Sequence, residues 1–511
     1  MVDAIHDLRR VVPVSIAGRS PRFHVLMVAS EASPWANTGG LADVSGALPR
    51  ALSDLGHSVT LVIPKYRGVH LPAATRLPHR VEAGGLTGAG RDVVFHIVSQ
   101  SSQRRIVFVE CAPLFDRPGL YGEQGSDYPD NAQRFDLLSV AALDFAELNH
   151  DFSPVDIVHA HDWQTGLIPA RLRLSTRWPS LTRAGVVFTV HNFAYQGVFP
   201  KETVPALGLP WSLFKMETGE FWGKFSWLKT GITAADYVTT VSPTYAGETR
   251  TQEFGAGLEG VLAGLGRRYG GILNGVDTDT WNPATDRFLP AHYDAQDLSG
   301  KTECKRALLA RLNLPRGDDV LARPLVGMVS RLVSQKGVDL IAAASADLVA
   351  IDATWVFLGA GEPRYEQALR QLAAAHPSRV AATIGFDESL AHLIEAGSDI
   401  YMMPSQFEPC GLNQMYSLRY GTVPIVRAVG GLDDTVQPYT AKARKANGFK
   451  FRHPTPETLV QTVRRAVRVY HNRPAWRQLM SNGMAADHSW ATPAREYVKV
   501  YRRARALRAE L

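Results

Sequence analysis

Short Val- and Ile-rich runs alternate with amphipathic stretches along nearly the whole chain, and this alternation limits the fold more than any other feature. The runs fall at residues 23–29, 59–63, 106–109, 156–160, 186–190 and 237–241 in the first half. In the second half they fall at 325–329, 355–358, 380–384, 400–403 and 423–426. Helix-like segments lie between them, such as 42–55, 131–148, 340–348 and 364–375. A continuously apolar strand is buried on both faces, and a parallel crossover needs a helix, so the pattern predicts parallel sheets covered on both sides. The pattern restarts at Phe23 and at Leu325. Two doubly wound domains follow, over 23–269 and 270–489, with the join near the glycine-rich stretch 264–271. The last helical segment, 490–511, has no strand after it and is expected to pack back across the join. Pro493 reads as its first helical residue, where a missing N–H is no loss.

Composition removes several classes. With 511 residues, 45% hydrophobic and 20% charged, the chain is neither disordered nor a small disulfide scaffold. No apolar run reaches the roughly 18 residues of a membrane helix. The three cysteines, Cys111, Cys304 and Cys410, are far apart, which fits a reducing, cytoplasmic setting. Residues 1–22 lack a signal-peptide apolar core and read as a soluble extension. The net charge of +6 is dispersed, apart from Arg502, Arg503, Arg505 and Arg508. Their helical spacing reads as a solvated face, with no nucleic-acid-binding pattern beside it.

In doubly wound sheets ligands sit beyond the carboxyl ends of strands. After the first run comes Asn37-Thr38-Gly39-Gly40-Leu41-Ala42-Asp43, where paired glycines open a helix and let backbone N–H groups approach an anion. Read alone, it is equally a tight strand-to-helix turn with Asp43 as a first-turn acid. Two further strand ends carry His159-Ala160-His161-Asp162-Trp163-Gln164 and His191-Asn192-Phe193-Ala194-Tyr195-Gln196. Polar and aromatic groups together suit a sugar-binding wall, to which Gln164 and Tyr195 contribute. The histidines lack a closed ligand set at zinc spacing, and no metal site is expected.

In the second half, Ser330-Arg331-Leu332-Val333-Ser334-Gln335-Lys336-Gly337 follows a strand. Arginine offers a bidentate fork and lysine a point charge, a pair suited to a diphosphate. Pro404-Ser405-Gln406-Phe407-Glu408-Pro409-Cys410-Gly411-Leu412 sets an acid beside a helix start, and Gly430-Gly431-Leu432-Asp433-Asp434-Thr435 reads as a third glycine-rich anion site. Gly359-Ala360-Gly361 is too short for a dinucleotide fingerprint.

Taken in order, these motifs, with Leu273-Asn274-Gly275-Val276-Asp277, resemble those of the bacterial glycogen synthases and plant starch synthases from about Phe23 onward. The resemblance implies the GT-B fold, two Rossmann-like domains facing across a cleft. It also implies retaining transfer of glucose from ADP-glucose to the non-reducing end of an α-1,4-glucan such as glycogen, without a metal or other cofactor. The first domain would be the acceptor side and the second the nucleotide-sugar side. By this resemblance Arg331 and Lys336 hold the diphosphate, Glu408 contacts the donor glucose, and His191 and Asp162 line the same site. Phe386 stacks on the base. Gly411 and Leu412 offer N–H groups to phosphate, and Gly39, Gly40, Asp43, Asn274, Cys410, Asp434 and Thr435 complete the donor site.

One position departs from the family pattern, Lys-x-Gly-Gly-Leu, because Asn37 stands where the lysine would be. A donor-binding charge is missing, so an Asn37→Lys change is expected to tighten donor binding; the opposite possibility is a loop rebuilt around Asn37, with its amide bonding the donor or Asp43, in which lysine would not lower KM. A glucan-binding protein with weakened catalysis and a synthase preferring UDP-glucose are the alternatives this substitution raises. A phosphorylase would need a pyridoxal-phosphate lysine, and the ordered motifs argue against one.

Overall fold

The computed structural model describes residues 22–71, 73–82, 90–150 and 154–510, and all but the last residue of the expected extension at 1–22 lies outside them. The chain divides into two compact units. The first comprises Met1–Val241, Ala246–Ile272 and Trp490–Leu511, and the second Ser242–Tyr245 and Leu273–Ser489. The division after Ile272 falls three residues beyond the expected join.

The sheet of the first unit contains β1 (His24–Val28), β2 (Ser58–Pro64), β3 (Thr75–Val81), β4 (Arg91–Ser99), β5 (Arg104–Glu110), β6 (Ile157–His161), β7 (Gly185–Val190), β8 (Tyr237–Thr240) and β9 (Tyr269–Gly271). Their order is β9-β8-β7-β6-β1-β2-β5-β4-β3. β1, β6 and β7 are buried along their whole length, as strands covered on both faces must be. The direction of winding reverses between β1 and β6, which puts the 30–43 and 161–164 segments beside the switch point.

The sequence reading missed β3 and β4, an antiparallel pair at the sheet edge. β3 alternates exposed and half-buried residues and carries Pro78, Arg76 and Arg80. An edge strand needs only one buried face, so the apolar-run signal is absent there.

The second unit is built on β10 (Leu325–Val329), β11 (Thr354–Gly359), β12 (Val380–Ile384), β13 (Ile400–Met403), β14 (Val423–Arg427) and β15 (Phe449–Phe451). These strands are parallel and ordered β12-β11-β10-β13-β14-β15, the Rossmann arrangement, with the switch point between β10 and β13. The core packs Trp355, Phe357, Ile400, Ile425 and Phe449 against helix residues Ile341, Leu459 and Val463.

The helix Ala491–Ala509 belongs to the first unit. Tyr501 Oη lies 3.0 Å from His159 Nδ1, and Arg505 pairs with Asp156 at 3.0 Å. Pro493 is its third residue rather than its first. The position is still tolerated because the first four N–H groups of a helix have no intrahelical partner. Arg502 and Arg503 are exposed. Among the described residues no helix is long and apolar enough to cross a membrane.

Candidate functional site

At the switch point of the second unit the residues after β10 meet those after β13. Lys336 ends a short 3-10 turn, Ser334–Lys336. Its Nζ lies 2.6 Å from Glu408 Oε2, which also accepts the Ser405 hydroxyl at 3.0 Å. One backbone and one side-chain hydrogen bond clamp the turn to the Glu408 loop. Gln406 N–H donates to Gln335 O at 2.8 Å, and Gln335 Nε2 to Phe407 O at 3.4 Å. Gly337 has φ 74°, and a Cβ there would stand 2.1 Å from Pro404 O, so only glycine permits this approach. Arg331 lies on the same segment, with Nη2 3.5 Å from Gln335 Oε1.

The crevice is held open by a group the sequence reading did not find. β10 and β13 pair only through Val326–Ile400 and Gly327–Tyr401. Beyond that, the fully buried Tyr401 hydroxyl takes over the free backbone of Val329, accepting its N–H and donating to its C=O, each at 3.1 Å. It also accepts Asn413 Nδ2 at 2.7 Å, which ties the strand before Arg331 to the helix Asn413–Arg419 after the Glu408 loop.

The remaining second-unit candidates have distinct surroundings. Gly411 adopts φ 70°, and Leu412 precedes the first residue of the Asn413–Arg419 helix. Asn274 is 5% exposed, and its buried Oδ1 has no partner among the described residues. Its backbone N–H faces Cys410, whose thiol burial pushes up to about 12. Phe386 is 92% exposed, its ring face uncovered.

The Gly430–Thr435 segment differs from the expected anion site. A Cβ on Gly430 would lie 1.9 Å from Glu408 O, and one on Gly431 2.1 Å from Cys410 O. Gly431 N–H is spent on Glu408 O and Pro409 O, so this glycine pair seats the Glu408 loop rather than facing an anion. Asp434 is likewise engaged, accepting Ser242 Oγ at 2.5 Å and Thr244 Oγ1 at 2.6 Å. The Thr435 hydroxyl donates to Gly431 O.

In the first unit, Gly39 and Gly40 open the helix Gly40–Asp54, with no side-chain cap at Gly39 and nothing within 4 Å of a Cβ on either glycine. Space and uncapped N–H groups are what an anion needs at a helix start. Buried Glu31, another group missed from the sequence, braces the loop. It accepts Thr38 N–H at 2.6 Å, Thr38 Oγ1 at 2.7 Å and the Tyr121 hydroxyl. Asn37 Nδ2 donates to Ser33 Oγ at 2.9 Å and to Asp43 Oδ1 at 3.3 Å. The loop is built around the amide, as the second of the two expectations for Asn37 has it.

His159, His161 and His191 form a buried group at the ends of β6 and β7. Burial pushes His191 down to about 3 and His161 well below its usual value, so both rings are neutral. His161 Nδ1 and His191 Nε2 are 3.0 Å apart. Among the described residues His161 Nε2 has no partner, and a buried lone pair is tolerated better than a buried orphan N–H. The proton therefore sits on His161 Nδ1, His191 Nε2 accepts it, and His191 carries its own proton on Nδ1. Asp162, at φ 56°, accepts His191 N–H at 2.7 Å, and burial raises its carboxyl to about 7. Gln164 is buried, its Oε1 without a partner among the described residues, while Tyr195 is 53% exposed. Among the described residues no cluster of three or more His, Cys, Asp or Glu is arranged to hold a metal ion.

Comparison with known proteins places this geometry. Residues 24–264 match the starch synthase catalytic domain family, and residues 319–478 match the glycosyl transferases group 1 family. The chain is 50% identical over 484 residues to a glycogen synthase of an Anaeromyxobacter species, covering 94% of this chain and 99% of that protein. It is 45% identical to the glycogen synthase of Koribacter versatilis, covering 96% and 100%. The catalytic domain of starch synthase IV from Arabidopsis thaliana, solved with ADP and acarbose, superposes with a TM-score of 0.86 at 34% identity, covering 95% of this chain and all of that one. The chain belongs to the glycogen synthase family of GT-B glycosyltransferases.

Proposed function

We propose that the protein transfers glucose from ADP-glucose to the non-reducing end of an α-1,4-glucan with retention of configuration, in the cytoplasm. The observation that carries this reading is the Lys336–Glu408 pair at a Rossmann switch point, on the segment that also bears Arg331. Breaking a sugar–phosphate bond builds positive charge at the anomeric carbon and negative charge on the diphosphate. Fixed cations at the leaving group and a fixed carboxylate near the sugar stabilise both, without reorganising when the bond breaks.

In this reading Arg331 and Lys336 hold the diphosphate, assisted by backbone N–H groups of Gly411 and Leu412, and no metal or other cofactor is needed. Phe386 offers a face to the base, and the unpaired Asn274 Oδ1 accepts from the donor. His191 Nδ1–H donates to a sugar hydroxyl, with Asp162 fixing the backbone of His191. Gly39 and Gly40 give the donor access to the helix start. Gln164 and Tyr195 belong to the acceptor side. No residue is assigned as a β-face nucleophile, and attack from the leaving-group side is the reaction course we favour.

A donor panel tests the proposal. ADP-glucose and UDP-glucose are offered with glycogen as acceptor, and labelled glucose in the polymer is counted. Preferred incorporation from ADP-glucose is the expected result. No incorporation from either donor by folded protein would refute the reading.

A further inference from the structure

The hairpin that follows the His191 segment displays a tryptophan in a way that folding does not explain. Glu220–Phe221 pairs with Lys224–Ser226, and Phe221 faces Lys224 across a two-residue turn of Trp222 and Gly223. Both turn residues have positive φ, 52° and 78°. Such turns favour Asn-Gly, and a side chain as large as tryptophan is costly in the left-handed region. Trp222 is also 83% exposed, so its indole returns almost none of that cost by burial.

The support beneath it is rigid. Glu220 Oε1 accepts Gly223 N–H at 2.7 Å across the turn. Buried Lys229 donates to the carbonyls of Met216 and Glu220, each at 2.6 Å, pinning the base of the hairpin. Gly257 closes in from the side, where a Cβ would stand 3.0 Å from the Phe221 ring and 3.5 Å from Trp222 Nε1. The hairpin pairs with Val198–Phe199, and Leu228 N–H donates to Gln196 O, so it is continuous with the segment bearing His191 and Tyr195.

We propose that Trp222 is a glucan-binding platform, on which a glucose unit of the acceptor chain stacks its apolar C–H face against the indole. The inference rests on the acceptor being an α-1,4-glucan. A pyranose offers a flat apolar face between hydroxyl edges, and an indole held out in solvent by a braced turn is placed to meet it without backbone reorganisation. The strain is kept because the site gains affinity where it loses stability.

The test uses the full-length protein without donor, and therefore does not depend on turnover. Trp222→Asn places the preferred residue in the turn and removes the platform. Calorimetry with maltoheptaose and mobility in glycogen-containing native gels measure affinity, and thermal melting measures stability. The expected result is a higher Tm together with affinity about tenfold weaker, equivalent to roughly 1.4 kcal/mol. Trp222→Tyr should retain most of the affinity. Glucan affinity unchanged in Trp222→Asn overturns the platform while leaving the acceptor assignment intact. A wild-type protein that binds no glucan overturns both.

Discussion

Glu408→Gln should separate donor binding from turnover. In the wild-type protein the Lys336 ammonium and the Glu408 carboxylate are 2.6 Å apart, with side chains 19% and 6% exposed. Glutamine keeps the volume and an acceptor for Ser405, so no cavity forms. Losing a charge-assisted hydrogen bond costs about 1–3 kcal/mol of stability, softened by the hydration Lys336 retains. A domain with about 5–15 kcal/mol survives that.

The freed ammonium no longer has to share its charge between the carboxylate and an incoming diphosphate. ADP should therefore bind more tightly, by about 1–2 kcal/mol or 5- to 30-fold. Turnover should move the other way. The negative charge facing the developing oxocarbenium ion is gone, and a preorganised electrostatic contact of this kind is worth about 10²–10³ in kcat. Titration calorimetry with ADP, glucosyl transfer at saturating ADP-glucose, and a thermal melt measure the three quantities. Weaker ADP binding, or kcat within threefold of wild type, would refute the charge-sharing argument.

Asn37→Lys should shift the ADP-glucose KM by less than about threefold, because the new ammonium meets Asp43 within its own exposed loop, where such pairs are worth little; a tenfold fall in KM would restore the simpler view of a missing charge. Asp162 gives a pH signature. Its folded carboxyl, raised to about 7, binds a proton that the unfolded chain has already released, so its own contribution to stability falls as pH rises from about 4 to 7 and then levels, against the rise contributed over much of the same range by the buried His159, His161 and His191, which gain protons on unfolding. Asp162→Asn should remove that falling contribution, so that stability rises more steeply with pH in melts across this range, and an unchanged profile would refute the assignment. Arg331→Ala should lower kcat/KM by about 30- to 1000-fold, or roughly 2–4 kcal/mol. Wild-type activity should survive EDTA, and strict dependence on added magnesium would contradict leaving-group stabilisation by side chains.

The sequence by itself determined the two-unit doubly wound architecture and singled out the strand-end loops to which the chemistry is assigned in the proposed function. Both are written in local patterns. A strand buried on both faces must be continuously apolar, and a strand end that opens a helix must spend glycine or a small polar residue there, so 23–29 with Gly39-Gly40 and 325–329 with Arg331 and Lys336 are legible one segment at a time. The edge strand β3 was not, because a half-exposed strand carries no continuous apolar run. The tertiary structure alone decided which side chains meet. Lys336 finds Glu408 72 positions away, and Tyr121 finds Glu31 90 away. Tyr401 joins Val329 to Asn413 only where two strands diverge. It also turned Gly430-Gly431 from an apparent anion cradle into a backbone seat, and Asn37 from an absence into a hydrogen-bonded part of its loop. The physical reason is that burial, tautomer and hydrogen-bond satisfaction depend on neighbours brought together by packing, and sequence spacing carries no record of them.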